Sequence, residues 1–289
     1  MIVGTRESKL AMRQTQIFLD IIGGRHPEIE FTIKGMKSSG DLDLVSSLDE
    51  LQGFGAFVRE LDAALLSGDI DVAVNSMKDM PIQTPDRICV PAILPRAAVE
   101  DVIIPCGLDE LNSGAVVGTS SIRRAAMLRS LRPDLRTAQL RGNIQTRISK
   151  LENGEYDAII LAKAGLDRLS IHHEMSVLNI DDFIPAPAQG AIAITCRSDR
   201  PDLISLLRCV DDPSTRTEVT VERGLMKLMG AGCSSPIGIN AKLTTDGIRV
   251  RAVSFEYSET PIKMDVVLPN DYTELDLTSI ASYLKGGCL

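Results

Sequence analysis

The sequence contains no tryptophan, and its few phenylalanines and tyrosines make up 3% of the chain. That excludes a row of aromatic platforms on which exposed bases would stack. Histidine is almost as scarce: His26, His172 and His173 are all there is, and neither H-x-x-x-H nor H-E-x-x-H spacing occurs. The six cysteines form no C-x-x-C pair, so neither a structural zinc site nor a metal-activated water is expected. His172 and His173 lie in a polar stretch and read as solvated residues. Cysteines this sparse in a chain of this length read as free thiols. No apolar run approaches the roughly 18 residues of a membrane span. The first residues lack the basic, apolar and small-residue zones of an export signal, so a cytoplasmic location is expected, with no membrane partner. A net charge of −8 argues against a general nucleic-acid binder.

What is present is the composition of a folded protein: 289 residues, 44% hydrophobic and 24% charged, enough for two or three domains. The charge is unevenly spread. From Gly118 to Lys150 there are eight basic residues against the single acid Asp134, a local net of +7. Such a concentration on an acidic protein suits a small polyanionic ligand, and equally a solvated basic face.

Short apolar runs alternate with amphipathic stretches through the first two-thirds. Strands are expected at Ile2–Thr5, Phe31–Met36, Ile70–Asn75, Ala115–Gly118, Thr137–Arg141, Asp157–Ala162 and Ala191–Cys196. Helices are expected at Leu10–Ile22, Phe57–Ser67 and Ile144–Leu151. This alternation predicts an α/β architecture with largely parallel sheets. Two Pro-rich segments, Pro91–Arg96 and Ile184–Gly190, read as paired crossings through which the chain leaves a first domain and returns to it. A cleft between the lobes would then be the place for a ligand. The domains expected are 1–92 with 191–209, then 97–185, then a C-terminal α+β domain at 213–289. The last would hold a helix Ser214–Met229, strands Ile237–Leu243, Ile248–Glu256 and Ile262–Leu268, and a helix near Leu275–Leu284.

Several segments carry chemistry at strand ends, where open α/β sheets bind ligands. Val117-Gly118-Thr119-Ser120-Ser121-Ile122-Arg123-Arg124 follows a strand and opens a helix. Its hydroxyls and free N–H groups make an anion site, and its arginines could clamp carboxylates; the plainer reading is an N-cap followed by surface arginines. Leu140-Arg141-Gly142-Asn143 with Arg147, and Gly4-Thr5-Arg6-Glu7-Ser8, repeat the strand-to-helix arrangement. In Asn75-Ser76-Met77-Lys78-Asp79-Met80-Pro81, Asp79 could stabilise a cation or move a proton, or merely pair with Lys78 at the surface. Cys233 sits among glycine, alanine and serines in Gly230–Pro236, an open setting for a thiol. Cys89, Cys106, Cys196 and Cys209 look structural.

Together with Asn153–Ala162 and Gly232–Gly238, these motifs resemble the porphobilinogen deaminase family, in family order from residue 4 to 238. The resemblance implies two periplasmic-binding-protein-like α/β lobes around a cleft plus the small C-terminal α+β domain. It implies a dipyrromethane cofactor in thioether linkage to Cys233, and head-to-tail condensation of four porphobilinogens with loss of ammonia to give hydroxymethylbilane. Asp79 would then be catalytic, contacting pyrrole nitrogens and stabilising an azafulvene-like cation. Ser76, Lys78, Thr119, Ser120, Ser121, Arg123, Arg124 and Gly142 would hold the cofactor. Arg6, Ser8, Gln14, Arg141, Arg147, Arg168 and Gln189 would hold the substrate or growing chain. A monomer acting on a small molecule is implied.

The sequence departs from the family pattern in the run Leu51–Phe57. Phe54 and Glu50 stand where lysines are usual, so the loop Leu48–Ala56 is expected either to cover the cleft or to tuck Phe54 into the core. Asn75 replaces a common histidine, and Lys163 takes a usually apolar place. The competing class is a two-lobed, non-catalytic binding protein for a small polycarboxylate, which would need neither Cys233 nor Asp79.

Overall fold

The computed structural model describes residues 1–36, 58–232, 235–258 and 260–287. The chain divides into two compact units, Met1–Ala97 with Gly190–Arg216, and Ala98–Gln189 with Thr217–Leu289. The loop Leu51–Phe57 with Glu50, and Cys233, lie outside the described residues.

In the first unit, β1 (Ile2–Arg6) runs parallel to both its neighbours, β2 (Thr32–Met36) and β3 (Val72–Ser76). Beyond β3 lie β10 (Ile192–Arg197) and β4 (Ile88–Ile93), giving the order β2-β1-β3-β10-β4. The sheet is mixed, not largely parallel as expected, because β10 is antiparallel to both β3 and β4. The cause is the crossing itself. The chain leaves at the C-terminal end of β4 and re-enters at the same end, so β10 must run back down the sheet. Helix α1 (Lys9–Arg25) begins at Ser8, whose hydroxyl accepts the Ala11 N–H at 3.3 Å. Its Phe18 and Ile22 are fully buried against Val72 and Val74, beside Leu203 and Leu207 of α6 (Pro201–Leu207). On the opposite face of β3, Ala73 packs with Leu61 and Leu65 of α2 (Arg59–Ser67), which Gly68 ends at φ +81.

Strand β4 was not expected, because Pro91 inside an apolar run argues against a strand. The register solves the difficulty. Ala92 faces Ile194 and Cys89 faces Cys196, so Val90 and Pro91 together oppose one residue in a bulge. Arg216 donates to the carbonyls of Val90 and Pro91 at 3.1 and 3.0 Å while gripping Asp211 at 2.6 and 2.7 Å. Asp211 also accepts the Ile93 N–H at 2.8 Å.

The second unit contains a mixed sheet and an antiparallel one. In the order β7-β6-β8-β5-β9, β6 (Val116–Gly118) is parallel to β7 (Arg136–Ala138) and β8 (Ala158–Ala162). The incoming β5 (Asp101–Ile104) is antiparallel to β8 and to β9 (Ser176–Val177). Strand β8 reads as one apolar run because both its faces are covered. Ile160 packs with Met127 and Leu128 of α3 (Ile122–Leu131), and Ile159 and Leu161 pack with Ile148 of α4 (Ile144–Glu152). Helix α5 (Lys163–Arg168) follows β8 directly. After α7 (Pro213–Met229), strands β11 (Ile237–Thr244), β12 (Gly247–Ser254) and β13 (Ile262–Leu268) form a meander, on which α8 (Glu274–Leu284) packs.

Two glycines should answer a methyl group oppositely. A Cβ at Gly238 would come within 2.7 Å of the Ile184 carbonyl and of Met127, whereas one at Gly23 in α1 meets nothing. Gly238→Ala is expected to destabilise by about 1–3 kcal/mol, and Gly23→Ala to stabilise by about 0.5–1 kcal/mol, in urea unfolding curves. The Cys89 and Cys196 thiols lie 3.8 Å apart across β4 and β10. Burial, then the neighbouring thiol, raises the Cys196 pKa. Iodoacetamide at mildly alkaline pH should therefore spare Cys196 in the folded chain and label it after unfolding, as read by peptide mass mapping.

Candidate active site

Strands β1 and β3 are parallel neighbours, so their C-terminal ends lie side by side. There Arg6 and Ser8 come together with Gln14, Asn75, Ser76 and Asp79 around one pocket. The buried amide of Gln14 shares hydrogen bonds with the Ser76 hydroxyl at 2.9 and 3.1 Å. Asn75, also buried, donates to Thr195 Oγ1 at 3.3 Å. The next residues form a single 3₁₀ turn, Met77–Asp79. Met77 and Met80 are buried on either side of it, and the Met77 N–H bonds to the Ala191 carbonyl at 3.1 Å. Apolar anchors before and after leave Lys78 and Asp79 half-exposed at the turn, so the order Met-Lys-Asp-Met itself sets which side chains reach the pocket edge.

In the second unit the ends of β6 and β7 meet through Ser120. Its hydroxyl donates to the Leu140 carbonyl at 2.7 Å and accepts the Leu140 N–H at 3.1 Å. Ser121 caps α3 by accepting the Arg124 N–H at 3.4 Å, and Thr119 Oγ1 accepts the Ser121 N–H at 3.2 Å. The three hydroxyls thus first shape the loop. Gly142 turns at φ +110 before Asn143 caps α4, and Arg147 Nε donates to the Gly142 carbonyl at 2.8 Å. Arg141 is half-buried in the same turn. Arg168 ends α5, and burial pushes its pKa down to about 10, which leaves it charged at neutral pH.

Arg123 and Arg124 are neither surface arginines nor an open clamp. Their residues are 4% and 6% exposed, and they share the fully buried Asp101: Arg123 Nη2 meets one carboxylate oxygen and Arg124 Nη2 the other, each at 2.7 Å. Arg123 Nη1 donates to the Ile184 carbonyl at 2.7 Å and Arg124 Nη1 to that of Ile160 at 2.9 Å. The Nε of each is buried with no hydrogen-bond partner among the described residues. Burial alone would raise the Asp101 pKa, but the two guanidiniums outweigh it and hold the carboxyl well below its ordinary range. Gln189, expected to face substrate, is 1% exposed, and its amide donates to Val99 O at 2.6 Å and to Asp101 at 2.9 Å.

Sequence reasoning passed over three buried carboxylates in this unit: Asp101, Glu218 and Glu222. A signal existed for the pair on α7, since Glu218 and Glu222 are four apart and share their stretch with the buried Val219, Val221 and Leu225. Asp101 announced itself only as an acid opening the apolar run Val102–Ile104.

Residues 1–205 match the family model described as "Porphobilinogen deaminase, dipyromethane cofactor binding domain", and residues 216–268 match that family's C-terminal domain. The chain is 42% identical over 277 residues to the probable porphobilinogen deaminase of Methanosarcina acetivorans, covering 93% of this chain and 86% of that one. It is 45% identical over 260 residues to the porphobilinogen deaminase of Streptococcus sanguinis, covering 87% and 85%. Among solved structures, an ancestral cationic amino acid solute-binding protein matches at 12% identity and a TM-score of 0.45, covering 80% of this chain and 90% of that one. The chain belongs to the porphobilinogen deaminase family.

Proposed function

We propose that in this porphobilinogen deaminase Asp79 is the catalytic carboxylate and Cys233 the attachment point of the cofactor. The enzyme condenses four porphobilinogens with loss of ammonia to give hydroxymethylbilane. The observation that carries the residue assignment is the shared pocket in which Arg6, Ser8 and Asp79 meet at adjacent strand ends. Such a pocket offers opposite charges to opposite parts of one substrate. Arg6 and Ser8 suit a carboxylate side chain, and Asp79 suits a pyrrole N–H and the cation left when ammonia departs. Gln14 acts by fixing Ser76.

The donor set fits a dipyrromethane, whose rings carry carboxylates and N–H groups. The buried Nε atoms of Arg123 and Arg124 find no acceptor among the described residues, which is compatible with a role beside an anionic group. Thr119, Ser120, Ser121 and Gly142 shape the loop that would hold it, and Ser76 and Lys78 are proposed as cofactor contacts as well. When bound, it supplies the pyrrole carbon to which the first substrate ring is joined. Arg141, Arg147 and Arg168 would meet the carboxylates of the growing chain. Gln189 acts indirectly, through Asp101.

The chain is organised for this as three domains, 1–92 with 191–209, 97–185 and 213–289. It works as a cytoplasmic monomer without nucleic-acid or membrane partners. In support, no described helix is long and apolar enough to cross a membrane.

Protein made where porphobilinogen is available should exceed its sequence mass by one dipyrromethane, and peptide mapping should place the adduct on Cys233. Cys233→Ser should abolish the adduct and Cys196→Ser should not; a bare parent mass would refute covalent attachment. Asp79→Asn should still carry the adduct, yet release ammonia from porphobilinogen about 10²–10⁴-fold more slowly, because the carboxylate matters most when the cation forms. Near-normal ammonia release in that variant would remove Asp79 from its role.

A further inference from the structure

Glu222 sits on α7 with 0% exposure, and its two oxygens serve different parts of the second unit. Oε1 accepts the Ala241 N–H of β11 at 2.7 Å, and Oε2 accepts the Ala188 N–H at 2.6 Å. Ala188 has φ +60, the left-handed region that a residue with a Cβ rarely occupies. The next side chain, Gln189, donates to the Asp101 carboxylate that holds Arg123 and Arg124. The segment Ile184–Gly190 is fixed at its other end as well. Arg123 donates to the Ile184 carbonyl, and the Ile239 N–H of β11 bonds to the Pro185 carbonyl at 3.1 Å. One strap therefore touches both α7 and β11, the elements on either side of Cys233 in sequence, and the arginine pair.

We infer that Glu222 is a positioning residue for cofactor attachment: by holding Ala188 in its left-handed conformation it aims Gln189 at Asp101, and so steadies the carboxylate that holds Arg123 and Arg124. This rests on the reading that Cys233 carries the cofactor and the arginines receive it. A carboxylate is required because backbone N–H donors from different elements meet its two oxygens, with the Asn240 amide also donating to Oε1 at 3.4 Å, and only an acceptor-only group satisfies them all. A glutamine would turn an NH₂ toward one of them. The strap turns here, the Gln189 N–H bonding to the Ala186 carbonyl at 3.0 Å with Pro187 and Ala188 between them. Such a turn places its third residue at positive φ, where alanine is disfavoured. The Glu222 grip on the Ala188 N–H offsets that cost and keeps Gln189 in place.

The test reads the fraction of purified chain carrying the dipyrromethane mass, after incubation of freshly made protein with porphobilinogen well below the melting temperature of each variant. Glu222→Gln is expected to lower that fraction several-fold. Adding Ala188→Gly should restore it toward the level of Ala188→Gly alone, because glycine takes positive φ without steric penalty. A purely structural role for Glu222 at Ala241 would not be rescued in this way. Gln189→Met, which keeps the volume but removes the amide, should load poorly too, and Ala188→Gly should not rescue it because the break lies downstream. Full loading of Glu222→Gln or of Gln189→Met overturns the inference, as does a double variant that stays as poorly loaded as Glu222→Gln. If Glu222→Gln does not fold, Gln189→Met with and without Ala188→Gly decides. A parent chain that carries no adduct would instead refute the attachment to Cys233, a result distinct from any of these.

Discussion

Two guanidinium groups lie inside the second unit, and they can do so only because Asp101 lies between them. An isolated ion buried in protein carries a penalty of several kcal/mol, and removing one partner of a buried pair costs about 3–5 kcal/mol. Here one carboxylate serves two cations, one at each oxygen and each at 2.7 Å. The geometry that follows is strict. Asp101 opens β5, Arg123 and Arg124 open α3, and their remaining contacts reach the carbonyls of Ile160 on β8 and Ile184 in the strap. Strand, helix and strap are thus locked in one arrangement. With two positive charges and one negative in this cluster, an anionic group arriving at the two Nε atoms would bring it closer to neutrality.

The first unit reaches its site by different means. Among the described residues no buried ion pair anchors Asp79. Its position follows from the apolar residues around it, Met77 before and Met80 after, on a turn that ends a buried strand. This suits the chemistry proposed for it. A carboxylate that must meet a transient cation gains from being pre-positioned, and charge–charge attraction is stronger still wherever water is excluded.

Much of the architecture was legible because its signals are local. Strands β1, β3, β6 and β8 read as apolar runs, and α1, α4 and α8 were expected over most of their lengths, each beginning in the structure at a side-chain cap, Ser8, Asn143 and Thr273. What was not legible depended on partners far away in the chain. β4 hides behind Pro91 because the arginine that satisfies its bulge stands at position 216. The direction of β10 follows from where the chain re-enters the sheet, which no periodicity encodes. The site divides the same way. Arg6, Ser8 and Asp79, read at strand ends, line one pocket beside β1 and β3, while the burial of Gln189 and of the arginine pair around Asp101 had no local signal.

The basic window shows why counting charges along a sequence misleads. Its excess of positive charge suggested a field directed at a ligand, yet several of its members are engaged by the chain itself. Arg132 pairs with Asp134 at 2.7 Å and also reaches the Leu108 and Leu111 carbonyls. Arg136 donates to the Gly114 carbonyl at 3.0 Å. Arg123 and Arg124 answer to an acid more than twenty residues upstream. Arg141 and Arg147 stand where a helix begins and a glycine at φ +110 turns the chain, and Arg147 too is engaged, through the Gly142 carbonyl. Recognition of a polycarboxylate then depends less on the number of cations than on how firmly the loops presenting them are held, and that firmness comes from Ser120, Asp101 and the buried strap.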